Sequence, residues 1–532
     1  MMIKVYTEIS LIPVEIFYGI PYANAPVGKF RFAAPERHSG WRRTFFAHRM
    51  PPRCPQQGMD NESYSEDCLF LNVFAPRVAS GWKIISNQYL SFLWIRENIA
   101  AFGGDPNAIT LVGHSSGADC VLHHIVSPRS SGLFQRAIVM SPREIWRAVN
   151  KELGANASEV ERVSRVIAET MECSSKTDKD ILNCMRSRTI SDIMTISLND
   201  TMLKSLQPVS DKFLPDSDQY LPMLVPEALT SSKTANIQLD LLMGTTSLEA
   251  INYNDNLYEY LMKEGASRVL EYTTTQAIPD IMRMLSLHGQ HVLPMLIQAI
   301  RWEFWGPALK KDDEKEIMET IESLARMETS AKWGAGGALL AARLARRVTR
   351  LYVYRFVQPS EVDMQGRHFN FSGATHGADL IALLGDALML QIARRTASDS
   401  EKRISAVFRK YIANFVKYGY PSVNNEWQRY KIGDAYVQDI GDETNKNIKL
   451  SPSSRDVAFW LKYLPTLSNL LITKEHSEQI TLEKGESRFR GGVFAMSGVS
   501  VVLLLLLCVS AVLLHRRRTR RSSLDVEVMN HH

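Results

Sequence analysis

The segment that most restricts the fold lies at residues 108–117. Residues 108–113 (AITLVG) form a short continuous apolar run, which predicts a buried strand, and the residues from Ser116 onward predict a helix. Between them Gly113-His114-Ser115-Ser116-Gly117 fits the pattern G-x-S-x-G. A serine at its centre must sit on a strained, sharp strand-to-helix turn. Both flanking glycines are expected because side chains there would clash as the helix packs back onto the sheet. Such a unit belongs in an α/β protein with a mostly parallel central sheet. Residues 1–465 fit that class, alternating short β-like runs with longer helical stretches, and helices are predicted near 314–327 and 337–349. Apolar content of 45% and charged content of 22% leave ample material for a core.

A second constraint stands at the other end of the chain. Residues 491–514 are 24 residues without a charge, and residues 501–507 are unbroken aliphatic. At about 1.5 Å rise per residue they span roughly 36 Å, more than a hydrocarbon core of about 30 Å. Arg516, Arg517, Arg518, Arg520 and Arg521 follow at once. Clustered arginines resist translocation, so residues 515–532 are expected to form a cytoplasmic basic tail below a single transmembrane helix, with the preceding 490 residues outside the cell. The plasma membrane and a type I orientation are the expected setting. Residues 474–490 (KEHSEQITLEKGESRFR) are polar and suit a stalk, expected over residues 466–490. These five arginines also account for the whole net charge of +5, which excludes a spread-out basic surface for nucleic acid.

Two features agree with an extracellular domain. Sequons begin at Asn61, Asn156, Asn199 and Asn370. Cys54/Cys68 and Cys173/Cys184 are closely spaced pairs that read as local disulfide loops, while Cys120 and Cys508 are expected to be free. Residues 1–17 contain no apolar run of signal-peptide length, since Glu8 and Glu15 interrupt the one candidate stretch. The natural N-terminus is therefore expected to lie upstream. No zinc, phosphate-loop or dinucleotide fingerprint occurs, so neither a metal nor a cofactor is expected.

Several longer motifs carry a family resemblance. Phe102-Gly103-Gly104-Asp105-Pro106 followed by ITLVGHSSG resembles the nucleophile region of type-B carboxylesterases and cholinesterases. Phe17-Tyr18-Gly19-Ile20-Pro21-Tyr22-Ala23 is similar to their N-terminal signature, and Ser65-Glu66-Asp67-Cys68-Leu69-Phe70-Leu71-Asn72-Val73 to their second, with Cys54 as the implied partner of Cys68. The resemblance covers most of residues 17–440 and implies an α/β-hydrolase fold. It also implies a triad. Glu249 ends the motif Met243-Gly244-Thr245-Thr246-Ser247-Leu248-Glu249, and His376 lies in Gly373-Ala374-Thr375-His376-Gly377-Ala378-Asp379-Leu380. Taken alone, either residue type is more often a solvated surface group, but the chain order Ser, acid, His is that of α/β-hydrolases. The implied chemistry is attack of Ser115 on a small-molecule carboxylic ester, giving an acyl-enzyme. His376 would act as the base and Glu249 would hold its tautomer. His114 stands where the family usually has glutamate, and Pro142 where it usually has glycine.

One part of the family pattern is missing. The glycine-rich loop whose N–H groups bind the oxyanion should lie between the second signature and the nucleophile strand. Here residues 72–76 (NVFAP) run through residues 77–85 into Asn87-Gln88-Tyr89-Leu90, which resembles a helix well downstream in the family. Strands of the sheet are expected to be missing with it. His288-Gly289 and Gly336-Gly337 are poor substitutes, neither having a strand-to-loop context. The N–H of Ser116 is then the one expected oxyanion donor. Two readings result: a membrane-tethered serine esterase, or a catalytically silent adhesion ectodomain similar to neuroligins, with a protein ligand. A cholinesterase proper fits less well, because residues 55–67 (PQQGMDNESYSED) hold no tryptophan for a quaternary ammonium.

Overall fold

The computed structural model describes residues 3–7, 10–56, 64–76, 86–153, 157–175, 177–196, 207–232, 236–251, 257–287, 293–306, 314–359, 361–368, 371–441, 447–449, 455–471 and 499–517. The chain forms two units, one of residues 1–287 with 297–462, the other of residues 288–296 with 463–532.

The first unit contains two sheets. Strands β1 (Ile3–Thr7), β2 (Ser10–Pro21) and β3 (Phe70–Pro76) form an antiparallel sheet in that order. The main sheet has six strands in the order β4 (Thr110–His114), β5 (Arg136–Met140), β6 (Ile237–Thr246), β7 (Val348–Phe356), β8 (Tyr436–Ile440) and β9 (Asn447–Lys449). Pairings from β4 to β8 are all parallel, and β9 closes the far edge antiparallel. Parallel strands covered on both faces should be apolar throughout rather than alternating. Strand β5 fits, with Ala137, Ile138, Val139 and Met140 all fully buried. Among the described strands β4 pairs only with β5, so the serine-bearing strand lies at the sheet edge, as the missing segment led us to expect.

Helices fill both faces. In chain order those used below are α1 (Ser86–Asn98), α2 (Ser116–Val126), α3 (Ala157–Thr170), α4 (Glu314–Thr329), α5 (Gly336–Leu344), α6 (Ala378–Leu384), α7 (Asp399–Tyr418) and α8 (Val499–Arg517). On one face Ile138, Met140, Leu242, Tyr354 and Phe356 pack with Ile404, Phe408, Ile412 and Phe415 of α7. That helix is capped at both ends: Ser398 and Glu401 form a reciprocal capping box, and Gly419 ends it in the left-handed region at φ 77°. Helix α2 lies against β4 and β5.

Three expectations need correction. The helix predicted near 337–349 stops at Leu344, because Val348 already begins β7, a central strand whose β-branched and aromatic residues outweigh the helical pattern before it. Residues 464–471 are helical, so the polar stalk expected from residue 466 does not start there. The strand predicted at 108–113 runs from Thr110 to His114, ending directly on the serine.

Both cysteine pairs are bonded, Cys54 to Cys68 and Cys173 to Cys184, and Cys120 and Cys508 are free. The sequon residues Asn61, Asn156, Asn199 and Asn370 lie outside the described residues, as do residues 472–498 and the tail from residue 518. In the second unit α8 is 19 residues long, apolar and exposed along its length, which makes it long and apolar enough to cross a membrane.

Candidate active site

Ser115, Glu249 and His376 come from three different loops, each leaving the carboxyl end of a parallel strand. Ligand sites in open α/β sheets are found at this end. Ser115 is the cap residue between β4 and α2, with φ 56° and ψ −124°. A left-handed serine is strained, and the turn persists because its neighbours fix it. The Ser115 N–H donates to Met140 O at 3.0 Å, and its carbonyl accepts the Ala118 N–H at 2.9 Å. The expectation for the flanking glycines holds at one of them. Gly113 has no room for a side chain beneath the backbone of α2, whereas Gly117 has open space.

Glu249 follows β6 and His376 precedes α6. Their loops are laced together: Leu248 N–H donates to Ala374 O at 2.8 Å, Ala374 N–H to Ser247 Oγ at 2.8 Å, and His376 N–H to Ile251 O at 3.3 Å. Leu248 and Thr375 thereby form an isolated parallel bridge that extends the sheet beyond β6 and β7. As a result His376 Nδ1 lies 2.6 Å from Glu249 Oε2, and its Nε2 lies 3.0 Å from Ser115 Oγ. Nδ1 is the donor when the imidazole faces an ionised Glu249. Glu249 Oε1 also accepts the Thr246 N–H at 2.7 Å.

Burial and charge oppose each other in this pair. Burial works against the charged form of both groups, but their mutual attraction and hydrogen bonds outweigh it. His376 is held above the ordinary imidazole value of 6.5 and Glu249 below that of a free glutamate. An imidazole whose cation is favoured while Nε2 faces a hydroxyl is equipped to take that hydroxyl's proton.

Behind the pair lies a cluster that sequence reasoning missed. His114 packs against His376, the rings tilted by 33° with centroids 4.9 Å apart, and its Nε2 is 3.8 Å from Asp379 Oδ1. Asp379 is fully buried and accepts a hydrogen bond from Tyr354 Oη at 2.6 Å. Burial lowers the proton affinity of His114, with Asp379 opposing, so its ring is neutral near pH 7. The available signal was positional: His114 precedes the serine and Asp379 lies three residues after His376.

The Ser116 N–H opens α2 at its N-terminus, where helix dipole and unpaired amides favour an anion. Strand β3 ends at Pro76 and α1 starts at Ser86, so residues 77–85 are all that joins them, and no glycine pair occurs between Pro76 and Phe102. Gly336 and Gly337 belong to α5, where Gly336 packs against Ile145 and Trp146, while His288 and Gly289 lie outside the described residues. Among the described residues no group of three or more His, Cys, Asp or Glu side chains is arranged to hold a metal ion.

A serine on a left-handed strand-to-helix turn, at the carboxyl ends of a mostly parallel sheet with histidine and acid on later loops, defines an α/β-hydrolase. The sequence model of the Carboxylesterase family matches residues 4–88 and 84–460. The chain belongs to that family. Its relatives include carboxylesterase 1C of Rattus norvegicus, 24% identical over 530 residues covering 85% of this chain and 89% of the relative. Carboxylesterase 4A of Bos taurus is 23% identical, covering 84% and 90%, and carboxylesterase 5A of Mus musculus is 25% identical, covering 86% of each. The two matched stretches overlap at residues 84–88.

Proposed function

We propose that this carboxylesterase-type hydrolase is a serine esterase working through an acyl-enzyme on Ser115. The observation that carries the reading is the bridging position of His376, 3.0 Å from Ser115 Oγ and 2.6 Å from Glu249 Oε2. His376 takes the hydroxyl proton as Ser115 attacks the ester carbonyl, and returns it to the leaving alcohol. Glu249 fixes the imidazole so that Nε2 is the basic nitrogen. Water then repeats the sequence on the acyl-enzyme. Small carboxylic esters are the substrates, in keeping with relatives named carboxylesterases.

The rate is set by the oxyanion. With the Ser116 N–H as the remaining donor, each absent partner lowers turnover by about 10²–10³. Covalent labelling, which needs one attack by Ser115 and no turnover, is therefore the sensitive test. A fluorophosphonate probe should label the chain at Ser115, and Ser115→Ala should not label. Failure of the unmutated chain to label at any pH refutes the enzyme reading.

The setting we propose is a type I, single-pass protein of the plasma membrane, with N-glycans on the outer domain and residues 515–532 in the cytosol. The apolar helix α8 and the arginines after it support this. Protease protection of the tail in sealed vesicles tests the orientation.

A second reading is a neuroligin-like adhesion ectodomain with no turnover. The absence of a glycine pair between Pro76 and Phe102 favours it. Aggregation of cells displaying the chain, undiminished by Ser115→Ala, would support this reading.

A further inference from the structure

One short segment of the first unit combines exposed apolar side chains with cations. Residues 37–59 hold five arginines and no acidic residue. Within them residues 39–50 are all exposed except Ala47. Trp41, Phe45, Phe46 and Met50 lie on the surface, with Phe46 63% and Met50 66% exposed. Single apolar residues on a surface are ordinary, but a run of large ones marks a place of contact.

The fold holds this segment by its small residue and leaves the large ones outside. The Ala47 carbonyl accepts the Tyr18 N–H at 2.9 Å, and Ala47 packs against Ile20, Leu71 and Val73. His48 forms a parallel bridge with Tyr18 of β2, and Met50 Sδ accepts from the Asn72 amide at 3.6 Å. The Cys54–Cys68 bond ties down the far end. The outer rings pair with one another instead of with the core, Trp41 with Phe45 at 4.8 Å and with His38 at 5.5 Å.

The charges are as one-sided. Arg42, Arg43, Arg49 and Arg53 are exposed and make no ion pair among the described residues. Two neighbouring carboxylates are taken by other arginines, Glu97 by Arg37 and Glu66 by Arg31, and Asp67 lies at the disulfide end. Apart from the arginines of the tail the chain carries no net charge, so this excess is local and composition hides it.

We propose that this segment seats the α/β domain on a bilayer containing anionic lipid. Trp41, Phe46 and Met50 enter the headgroup layer, and Arg42, Arg43 and Arg49 meet the lipid phosphates and carboxylates. Aromatic side chains favour that layer, and arginine buries its stem there while its guanidinium stays with the headgroups. An acidic polysaccharide would satisfy the arginines alone and leave Phe46 and Met50 in water. A bilayer uses both halves of the patch. The membrane setting proposed for α8 supplies the bilayer, and this segment adds a peripheral contact that salt weakens.

The test reconstitutes the full chain in vesicles of phosphatidylcholine, alone or with about 30% phosphatidylserine, and adds trypsin. Cleavage after Arg43 and Arg49 is read by mass spectrometry against cleavage after the exposed Lys212, which cancels the share of chains facing the lumen. The ratio should fall about tenfold with phosphatidylserine and recover at high salt. Arg42→Glu with Arg43→Glu should restore cleavage after Arg49. Phe46→Ser with Met50→Ser, which keeps every charge, should restore it too. Equal protection in the two lipids overturns the proposal. So does protection by heparin in detergent with none from phosphatidylserine, or protection that rises with protein concentration and marks a second copy. The anchor is judged separately, since insertion through α8 resists alkaline carbonate in either lipid. Should the chain not insert, flotation with phosphatidylserine vesicles but not with phosphatidylcholine vesicles carries the proposal, and flotation with neither overturns it.

Discussion

A Cβ placed on Gly113 would stand 2.1 Å from the carbonyl oxygen of Gly117, whereas one placed on Gly117 would meet nothing within 4 Å. The two glycines of the G-x-S-x-G motif therefore have different tasks. Gly113 lets the first turn of α2 lie directly on β4, which sets the direction of Ser115. Gly113→Ala must push the helix off the strand and should cost more than about 3 kcal/mol, in line with severe overpacking against backbone. Gly117→Ala, inside the helix, should be neutral or stabilise by up to about 1 kcal/mol through reduced freedom of the unfolded chain. Urea denaturation of both variants checks the contrast, and equal losses would contradict it.

Glu249 and His376 make the next prediction. Glu249→Gln keeps the shape of the side chain but replaces a carboxylate by an amide that can face the imidazole with either end. In the Ser-His-Asp template the matching change costs about 10⁴ in rate through the wrong tautomer. Labelling of Ser115 by a fluorophosphonate should slow by about 10³–10⁴ in Glu249→Gln, with the fold intact by circular dichroism. A loss below tenfold would show that Glu249 does not orient the base.

The pH dependence of that labelling follows from the same pair. His376 must be neutral to accept the Ser115 proton, and the Glu249 charge holds its proton affinity above the ordinary value of 6.5. Labelling should therefore decline as pH falls through a midpoint above 6.5. In Glu249→Gln the residual rate should decline at a lower midpoint, since burial, joined by the Arg143 charge, is then opposed only by Asp379. A midpoint that stays in place would mean another group controls the acid limb.

Much of this arrangement was legible because α/β-hydrolase sites are written as local motifs. Ser115, Glu249 and His376 each sit in a short run whose residues also make the turn, and the sheet order simply brings the runs together. What sequence could not reveal depends on contacts across the sheet. The bridge between Leu248 and Thr375 joins segments 127 residues apart and leaves no local pattern. The left-handed Ser141 carries no glycine to mark it. The helix predicted beyond Leu344 failed for a related reason: Arg346 and Arg347 continue a helical pattern, while the β-branched and aromatic residues that follow are drawn into β7 by its neighbours β6 and β8.

The two disulfides should matter to stability in similar measure. Cys54–Cys68 and Cys173–Cys184 close loops of 14 and 11 residues, worth about 3 kcal/mol each in the chain-entropy picture. Cys173 is buried with Met171, Ala168 and Ile196, so Cys173→Ser also places a hydroxyl in an apolar cluster. It should lower Tm more than Cys54→Ser does. Differential scanning calorimetry under oxidising conditions compares them, and the reverse order would count against the packing argument.

Asp119 ties stability to pH in the opposite sense from a salt-bridged acid. Burial pushes its carboxyl up to about 7 from an ordinary 3.8, although the N–H groups of Glu144 and Arg143 pull the other way. The folded chain thus binds this proton more tightly than the unfolded chain does. The stabilisation is complete below about pH 4 and is lost as pH rises towards about 7. A shift of about three units corresponds to about 4 kcal/mol across that window. Asp119→Asn cannot lose a proton and still offers an oxygen to the Glu144 N–H. It should remove this downward slope, so that the variant gains on the unmutated chain as pH climbs from 4 to 7. Chemical denaturation at pH 4, 5.5 and 7 measures the difference. A constant gap between the two proteins across that range would mean that Asp119 keeps its charge when buried, held by the turn it caps.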